Sequence, residues 1–348
     1  MYRFSIILVT IFMSQIAFAQ NTYDLDLQTD DWVLEKTPNL GSKEAQLAAA
    51  KKELAMGNYE EAMRLSAIWI ERNKYDPLLA EAHLIHGDAL FAQKYYYEAL
   101  FDYEFVARDF YGTKEEIYAN EKELEIAIMF ANGMKRLNWG LRISDATDEA
   151  EELLIRIQER LPNHSLAETA AMELADLYFR TSQMRLANMM YLLFLENFPR
   201  APKELTDKAE AKLVFTRLAT YKGPSFDDTG LNDAKQELQR LEAINPTLAD
   251  EINSTGLIAR IEESLGQKLL KTAQWYLKVN EPIACEFTVR RLLQQHQDTS
   301  ASIEALEHLV PKFMPKLPPV IKNDVADFYE VYKETLLRTN PISKEEEL

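Results

Sequence analysis

The sequence predicts an all-α chain: a solenoid of about five to six helical hairpins closed by a C-terminal helix. Three observations carry this. The 348 residues include only 10 glycines and 13 prolines. Leu, Ala and Glu dominate, β-branched residues rarely run together, and apolar positions recur at three- and four-residue steps. An alanine is followed twelve residues later by a proline at Ala150/Pro162, Ala187/Pro199 and Ala234/Pro246, and a repeated spacing of this kind marks a repeated unit.

Taken in order, residues 1–19 read as a secretory signal peptide. Arg3 gives the positive start, Ser5 to Met13 is apolar, and Ala17-Phe18-Ala19 is a small-x-small cleavage site. Residues 20–41 are acidic and lack a helical period, so an extended arm is expected there. The repeats occupy 42–315. Pro315, Pro318 and Pro319 then break the array, and Val320 to Leu337 reads as an amphipathic capping helix, so that 316–348 forms a cap followed by the acidic tail SKEEEL.

Composition narrows the partners. The formal net charge is −17 and the basic residues are scattered, so nucleic acid is excluded and an anionic bilayer is expected to repel the chain as a whole. Protein partners fit better. Cys285 is the single cysteine, which rules out an internal disulfide, and its helical context predicts a buried small side chain.

Within the repeats, Ala62, Ala99, Ala150, Ala187, Ala234 and Ala284 align as the small residues of the second helices. Gly87 and Ala175 stand twelve positions before Ala99 and Ala187, with Leu90 and Tyr178 three further on. Small residues facing each other let two helices approach closely, and larger neighbours fill the space between. Co-registered small and large positions with a closing proline resemble the tetratricopeptide repeat.

A narrower resemblance rests on AETAAMELADLYFRTSQMRLANMMYLLFLENFPRA, followed by a helix, the loop from Tyr221 to Ala234 (YKGPSFDDTGLNDA) and the segment QKLLKTAQWYLKVNEPIACEFTVRRLLQQHQDTSASIEALEHL. This arrangement resembles the BamD-like proteins of outer-membrane assembly, over most of Ala167 to Val310. In the loop, Gly223 and Pro224 stop one helix, and Asp227, Asp228 or Thr229 supplies the cap of the next. The segment NWGLRISDATDEAEELLIRI departs from the pattern with a longer connection between helices.

The resemblance implies a periplasmic scaffold at the inner face of the outer membrane. Its implied partners are proteins: a BamA-like barrel, other assembly factors or unfolded outer-membrane protein segments. Typical relatives begin with a lipidated cysteine, whereas the signal region here ends AFAQN, so membrane contact is expected to be indirect. A different envelope adaptor, coordinating cell-wall enzymes, is the alternative.

Chemistry is sparse. His83 and His86 share a helix face, but no third ligand stands near them in the sequence, and packing or hydrogen bonding is the expected role. HExxH, GxSxG and phosphate-loop spacings are absent, and paired acids such as Glu60-Glu61 and Glu262-Glu263 read as solvated faces. The expectation is therefore a non-enzyme without metal or cofactor; a hydrolase accessory that keeps only its superhelical part is the reading from another class. Asp88 with Phe91, and Asp176 with Phe179, directly follow the small packing residues of two first helices. Two readings stand for these pairs: they face the concave wall and bind peptide, or the rings pack between repeats and the acids bond locally. Of Tyr95-Tyr96-Tyr97, one ring is expected to pack in its hairpin and the others to stand at the turn.

Overall fold

The computed structural model describes residues 23–26, 31–34, 41–138 and 141–338, so the signal-peptide and acidic-tail expectations lie outside the described residues. The chain divides into two compact units, one up to Ala119 and one from Asn120. The first holds a short antiparallel ribbon, β1 (Tyr23–Asp26) with β2 (Asp31–Leu34), within the segment expected as an extended arm. It continues with α1 (Lys43–Ala55), α2 (Tyr59–Arg72), α3 (Leu79–Ala92), α4 (Tyr96–Asp109) and the start of α5 (Lys114–Ala131). The second unit holds the rest of α5, the ribbon β3 (Arg136–Asn138) and β4 (Leu141–Ser144), α6 (Thr147–Arg160), α7 (Ser165–Arg180), α8 (Met184–Asn197), α9 (Lys203–Ala219) and α10 (Thr229–Ile244). It ends with α11 (Pro246–Glu251), α12 (Ser254–Lys278), α13 (Pro282–Gln295), α14 (Ser300–Glu304), α15 (Val310–Phe313) and α16 (Pro319–Arg338). The fold class is all-α, a solenoid of helical hairpins.

One local rule builds the second helix of each hairpin. The small residues Ala62, Ala99, Ala150, Ala187, Ala234 and Cys285 are fully buried. Four residues on come Ser66, Tyr103, Leu154, Tyr191, Leu238 and Val289, and seven on come Trp69, Val106, Ile157, Phe194, Leu241 and Leu292, all buried. Eleven on, the capping amide donates to the carbonyl of that seventh residue, as in Phe110 to Val106 at 3.1 Å and His296 to Leu292 at 2.8 Å. This register corrects one expectation: Ala284 is only partly buried, and Cys285 takes the packing position. The physical reason is the start of the helix. The Cys285 amide is the one that bonds back to Glu281, as Ala187 does to Gln183 and Ala99 to Tyr95.

The tight hairpins share a second rule. Ala50, Gly87, Ala175 and Ala273, each twelve positions before its partner, are buried on the first helix. Five positions before that partner, Gly57, Lys94, Ser182 and Asn280 take positive φ between 61 and 80°. The next amide reaches back five residues, as Tyr95 does to Leu90 at 2.9 Å and Gln183 to Tyr178 at 2.8 Å. These are Schellman closures, in which a left-handed residue lets two amides satisfy the last turn of the outgoing helix.

Between α9 and α10 the tight turn is replaced by the Gly-Pro-Asp loop. The Asp227 carboxylate accepts from the Thr229 amide and hydroxyl at 3.3 and 2.9 Å, fixing the start of α10. Its hydrogen bonds to Thr229 also hold the Asp227 carboxyl below its usual range. Gly230 sits where α10 crosses the end of α9: a Cβ there would lie 2.8 Å from the Arg217 carbonyl oxygen, so no larger residue fits without moving backbone.

The unit closes on α16. Its Val325 and Tyr329 are buried with Cys285, Leu292, Leu306, Val310 and Phe313, where α14, a π turn at Ala305–Leu309 and α15 lead the chain back over α13.

Candidate binding surfaces

Unit 1 places its first helices side by side, and α1, α3 and α5 contribute the lining of one open cleft of about 440 Å³. Leu54, Leu84 and Ile85 form an apolar floor, while Lys51, Glu81, Asp88, Lys114, Glu115 and Tyr118 stand around it. Lys51 and Glu81 pair across it at 3.0 Å. Asp88 accepts from the Tyr103 hydroxyl at 2.7 Å and the Tyr118 hydroxyl at 2.9 Å. It thus braces the α3–α4 hairpin and borders the cleft together. Burial and the adjoining Asp88 charge push the Tyr103 hydroxyl far above the usual tyrosine range, so Tyr103 stays a donor at any ordinary pH.

The other expected contact residues lie as follows. Phe91 meets Tyr96 edge-on at 5.0 Å. Asp176, in the second unit, is buried; one oxygen accepts from the Tyr191 hydroxyl at 2.5 Å and the other pairs with Lys208 at 2.6 Å. Phe179 lies beneath the Lys212 ammonium at 4.1 Å, a cation–π contact. Of the tyrosine triplet, Tyr95 is exposed at the turn, Tyr96 meets Phe91, and Tyr97 meets Phe101 edge-on at 5.6 Å.

The two histidines of α3 hydrogen-bond, and what sequence reasoning missed is their partner. The Nδ1 atoms of His83 and His86 lie 2.7 and 2.6 Å from the two oxygens of Asp102, which α4 brings in from the facing helix. A carboxylate only accepts, so both rings donate to it. Burial pushes the Asp102 carboxyl up, but the bonds from His83 and His86 outweigh this and hold it below its usual range. The signal was available, because Asp102 stands three residues beyond Ala99 and so turns toward the helix that Gly87 faces. Among the described residues, no three His, Cys, Asp or Glu side chains gather as a metal site.

A stability prediction follows from the lowered Asp102 carboxyl. Its contribution is complete above the unfolded pKa of about 3.9 and is lost as pH falls through the lower folded value. Asp102→Asn should cost about 2 kcal/mol at neutral pH, and the gap to wild type should shrink below about pH 4. Urea titrations at a series of pH values check this; a gap independent of pH would remove the carboxylate from the account.

The second unit carries a larger and more polar cleft of about 740 Å³ where α10, α12 and α13 meet, with Lys235, Lys268, Arg291 and His296 in its lining. The Gly-Pro-Asp loop helps to build it: Lys268 donates to the Phe226 carbonyl at 3.0 Å and pairs with Asp228 at 2.9 Å. The loop therefore positions a cationic side chain on the neighbouring helix as well as turning the chain. His296 is tied to Glu262 at 2.5 Å, and Lys235 pairs with the same carboxylate. Burial raises the Glu262 carboxyl, but the bonds from Lys235 and His296 prevail and lower it.

A family model described as outer membrane lipoprotein, YfiO, matches residues 130–316. No curated protein matches the chain. Two crystal structures of Podosopora anserina kinesin-light-chain TPR-like repeats, one of them a single-residue variant, are similar at 17% identity. They cover 59% of this chain and 94% and 95% of their own, with TM-scores of 0.33 and 0.34. Among the described residues, no helix is long and apolar enough to cross a membrane.

Proposed function

Because the chain belongs to the YfiO family of outer membrane lipoproteins, whose model spans more than half of it, we propose that it is a non-enzymatic envelope scaffold resembling BamD. In this reading it holds partner or substrate segments during the assembly of outer-membrane β-barrel proteins. The observation that carries the reading is the cleft of unit 1, an apolar floor of Leu54, Leu84 and Ile85 ringed by charges of both signs. Such a cleft suits an extended peptide, whose alternate side chains reach the floor while its polar groups meet the rim. Phe91 belongs with Asp88 to the contact proposed in the first unit, and Asp176 with Phe179 is the separate contact proposed in the second.

Asp88 itself is a poor test position, since it also holds Tyr103 and Tyr118. Leu84→Glu combined with Lys114→Glu changes the cleft instead. Wild type should recover a BamA-like barrel and its associated factors from detergent-solubilised envelopes, and the double variant should recover at least about tenfold less, the loss of one well-buried apolar anchor. Recovery of cell-wall enzymes without any barrel component would replace this role with the adaptor alternative.

A further inference from the structure

A smaller cleft of the second unit carries basic groups that the fold leaves without acids. It measures about 420 Å³ and lies between the end of α12 and the turn into α15, with Leu277, Lys278, His308, Leu309 and Lys312 in its lining. The acid in that lining, Glu304, accepts from the Gln274 side-chain amide at 3.1 Å. Glu307, beside His308 in the sequence, is exposed and outside the lining. Among the described residues, the side chains of Lys278, His308 and Lys312 make no ion pair or hydrogen bond, and all three are exposed.

Two further features mark the place. Lys271, Trp275 and Lys278 stand four and three residues apart and so share one face of α12. Lys271 is exposed and, among the described residues, likewise without an ion pair. The Trp275 ring is braced by Tyr276 at 5.1 Å, yet 55% of the residue is exposed. The facing wall is a π turn with a cause in the sequence. Pro311 has no amide hydrogen, and in a regular helix its ring would press on the Glu307 carbonyl. At Ala305–Leu309 the chain widens instead, and the Val310 amide reaches back five residues to the Ala305 carbonyl. Wide turns of this kind recur at functional sites.

We propose that this cleft and the adjoining face of α12 bind an acidic peptide segment of a partner protein, its carboxylates meeting Lys278 and Lys312 and an apolar side chain lying on Trp275. Charge complementarity is the first argument: lysines without acids gather here in a chain whose net charge is −17. The ring selects a peptide over a bare anion. Phosphate or a lone carboxylate would use the lysines and leave the exposed indole unused, whereas tryptophan is enriched at the hot spots of protein interfaces. A bilayer fits worse, because a broad anionic surface would meet the acidic remainder of the chain, while a short segment reaches only the cleft and the face beside it. This site lies in the other unit from the cleft that carries the scaffold reading, and its test contains no envelope partner, so either can fail without the other.

Fluorescence anisotropy of the purified chain from Gln20 onward with a fluorescein-labelled peptide, EEFEE, tests the proposal. The peptide should bind at low salt at least about tenfold more tightly than QQFQQ or KKFKK. Lys278→Glu with Lys312→Glu should weaken it at least about tenfold by turning attraction into repulsion. Trp275→Ala should also weaken it at least about tenfold, the loss of a hot-spot ring, and should barely change the weaker binding of EEGEE. All three positions are exposed, and unchanged circular dichroism would show that folding is intact. Leu84→Glu with Lys114→Glu, in the first unit's cleft, should leave binding unchanged; a loss there would give the peptide to that cleft and overturn the assignment. Absence of binding at low salt, or equal binding by wild type and the lysine variant, would overturn it too. Full binding by the Trp275 variant would reduce the site to one for bare anions. Flotation with phosphatidylglycerol vesicles that the lysine variant loses, without binding of EEFEE, would give the face to lipid instead.

Discussion

Gly87→Val is expected to spread the α3–α4 hairpin and destabilise the first unit by about 3 kcal/mol, the upper range for overpacking a core. A Cβ at position 87 would lie 3.0 Å from Tyr103 Cε1 and 3.2 Å from Asp102 Cβ, so the side chain of α4 must retreat. Tyr103 is fully buried and donates to Asp88, while Asp102 holds His83 and His86, so this retreat loosens two polar linkages as well as apolar contact. Valine's branched Cβ leaves no rotamer that avoids the clash. Gly87→Ala separates the effects. Its single methyl meets the same atoms, but alanine gains about 0.8–1 kcal/mol of helix propensity over glycine, so a net loss below about 1 kcal/mol is expected. Urea denaturation and amide hydrogen exchange across α3 and α4 measure both. Wild-type protection in the valine variant would mean that the two helices are not held at the close approach that glycine permits.

Much of the hairpin geometry was legible because it rests on side-chain size at fixed spacing. Ala62, Ala99, Ala150, Ala187 and Ala234 stand out in the sequence, and each is fully buried. The sixth position lies one residue beyond Ala284, at Cys285, because cysteine is also small and suits the same contact. The turns were harder. Gly57 and Asn280 are natural left-handed residues, but Lys94 and Ser182 adopt the same conformation against their intrinsic preference. There the tertiary demand for close-packed helices overrides local propensity, and no local pattern reveals it.

The polar linkages were less legible still, because each joins residues from facing helices. Asp102 with His83 and His86, Asp176 with Lys208, and Lys268 with the carbonyl of Phe226 all depend on which helix faces which. Asp88 illustrates the limit most clearly. The sequence places it on a first helix beside a small residue, which fits a peptide contact and a hairpin brace equally, and the structure has it bracing Tyr103 while bordering the cleft. The ribbon at Arg136–Ser144 was visible only as an overlong connection, since its seven strand residues carry too short a period to read against flanking helices.

Glu286→Ala should have the second large effect, about 3 kcal/mol, by removing a buried carboxylate that fastens the C-terminal helix. Glu286 is 1% exposed and receives Arg290 through two bonds, at 3.0 and 2.7 Å, while the buried Tyr329 hydroxyl of α16 donates to it at 3.2 Å. Removing the carboxylate leaves that hydroxyl with a weaker bond to the Glu286 carbonyl at 3.3 Å and leaves Arg290 without its partner. The adjacent Cys285 reports the outcome. Burial, and then the charge of Glu286, push its thiol up to about 11, so a disulfide reagent should react slowly with the native chain at neutral pH. Faster labelling of the alanine variant could arise from undocking of α16 or from loss of the nearby negative charge. Glu286→Gln distinguishes them, because it removes the charge while keeping an acceptor for Tyr329, and Tyr329→Phe removes the donor while leaving Glu286 charged. If α16 docking governs access, the alanine variant should label at least about tenfold faster and the glutamine variant only slightly faster, since 1.4 kcal/mol of easier opening already gives a factor of ten. Equal acceleration in alanine and glutamine variants would make the charge decisive and leave α16 docked by its apolar face, through Val325, Tyr329 and the core beneath them.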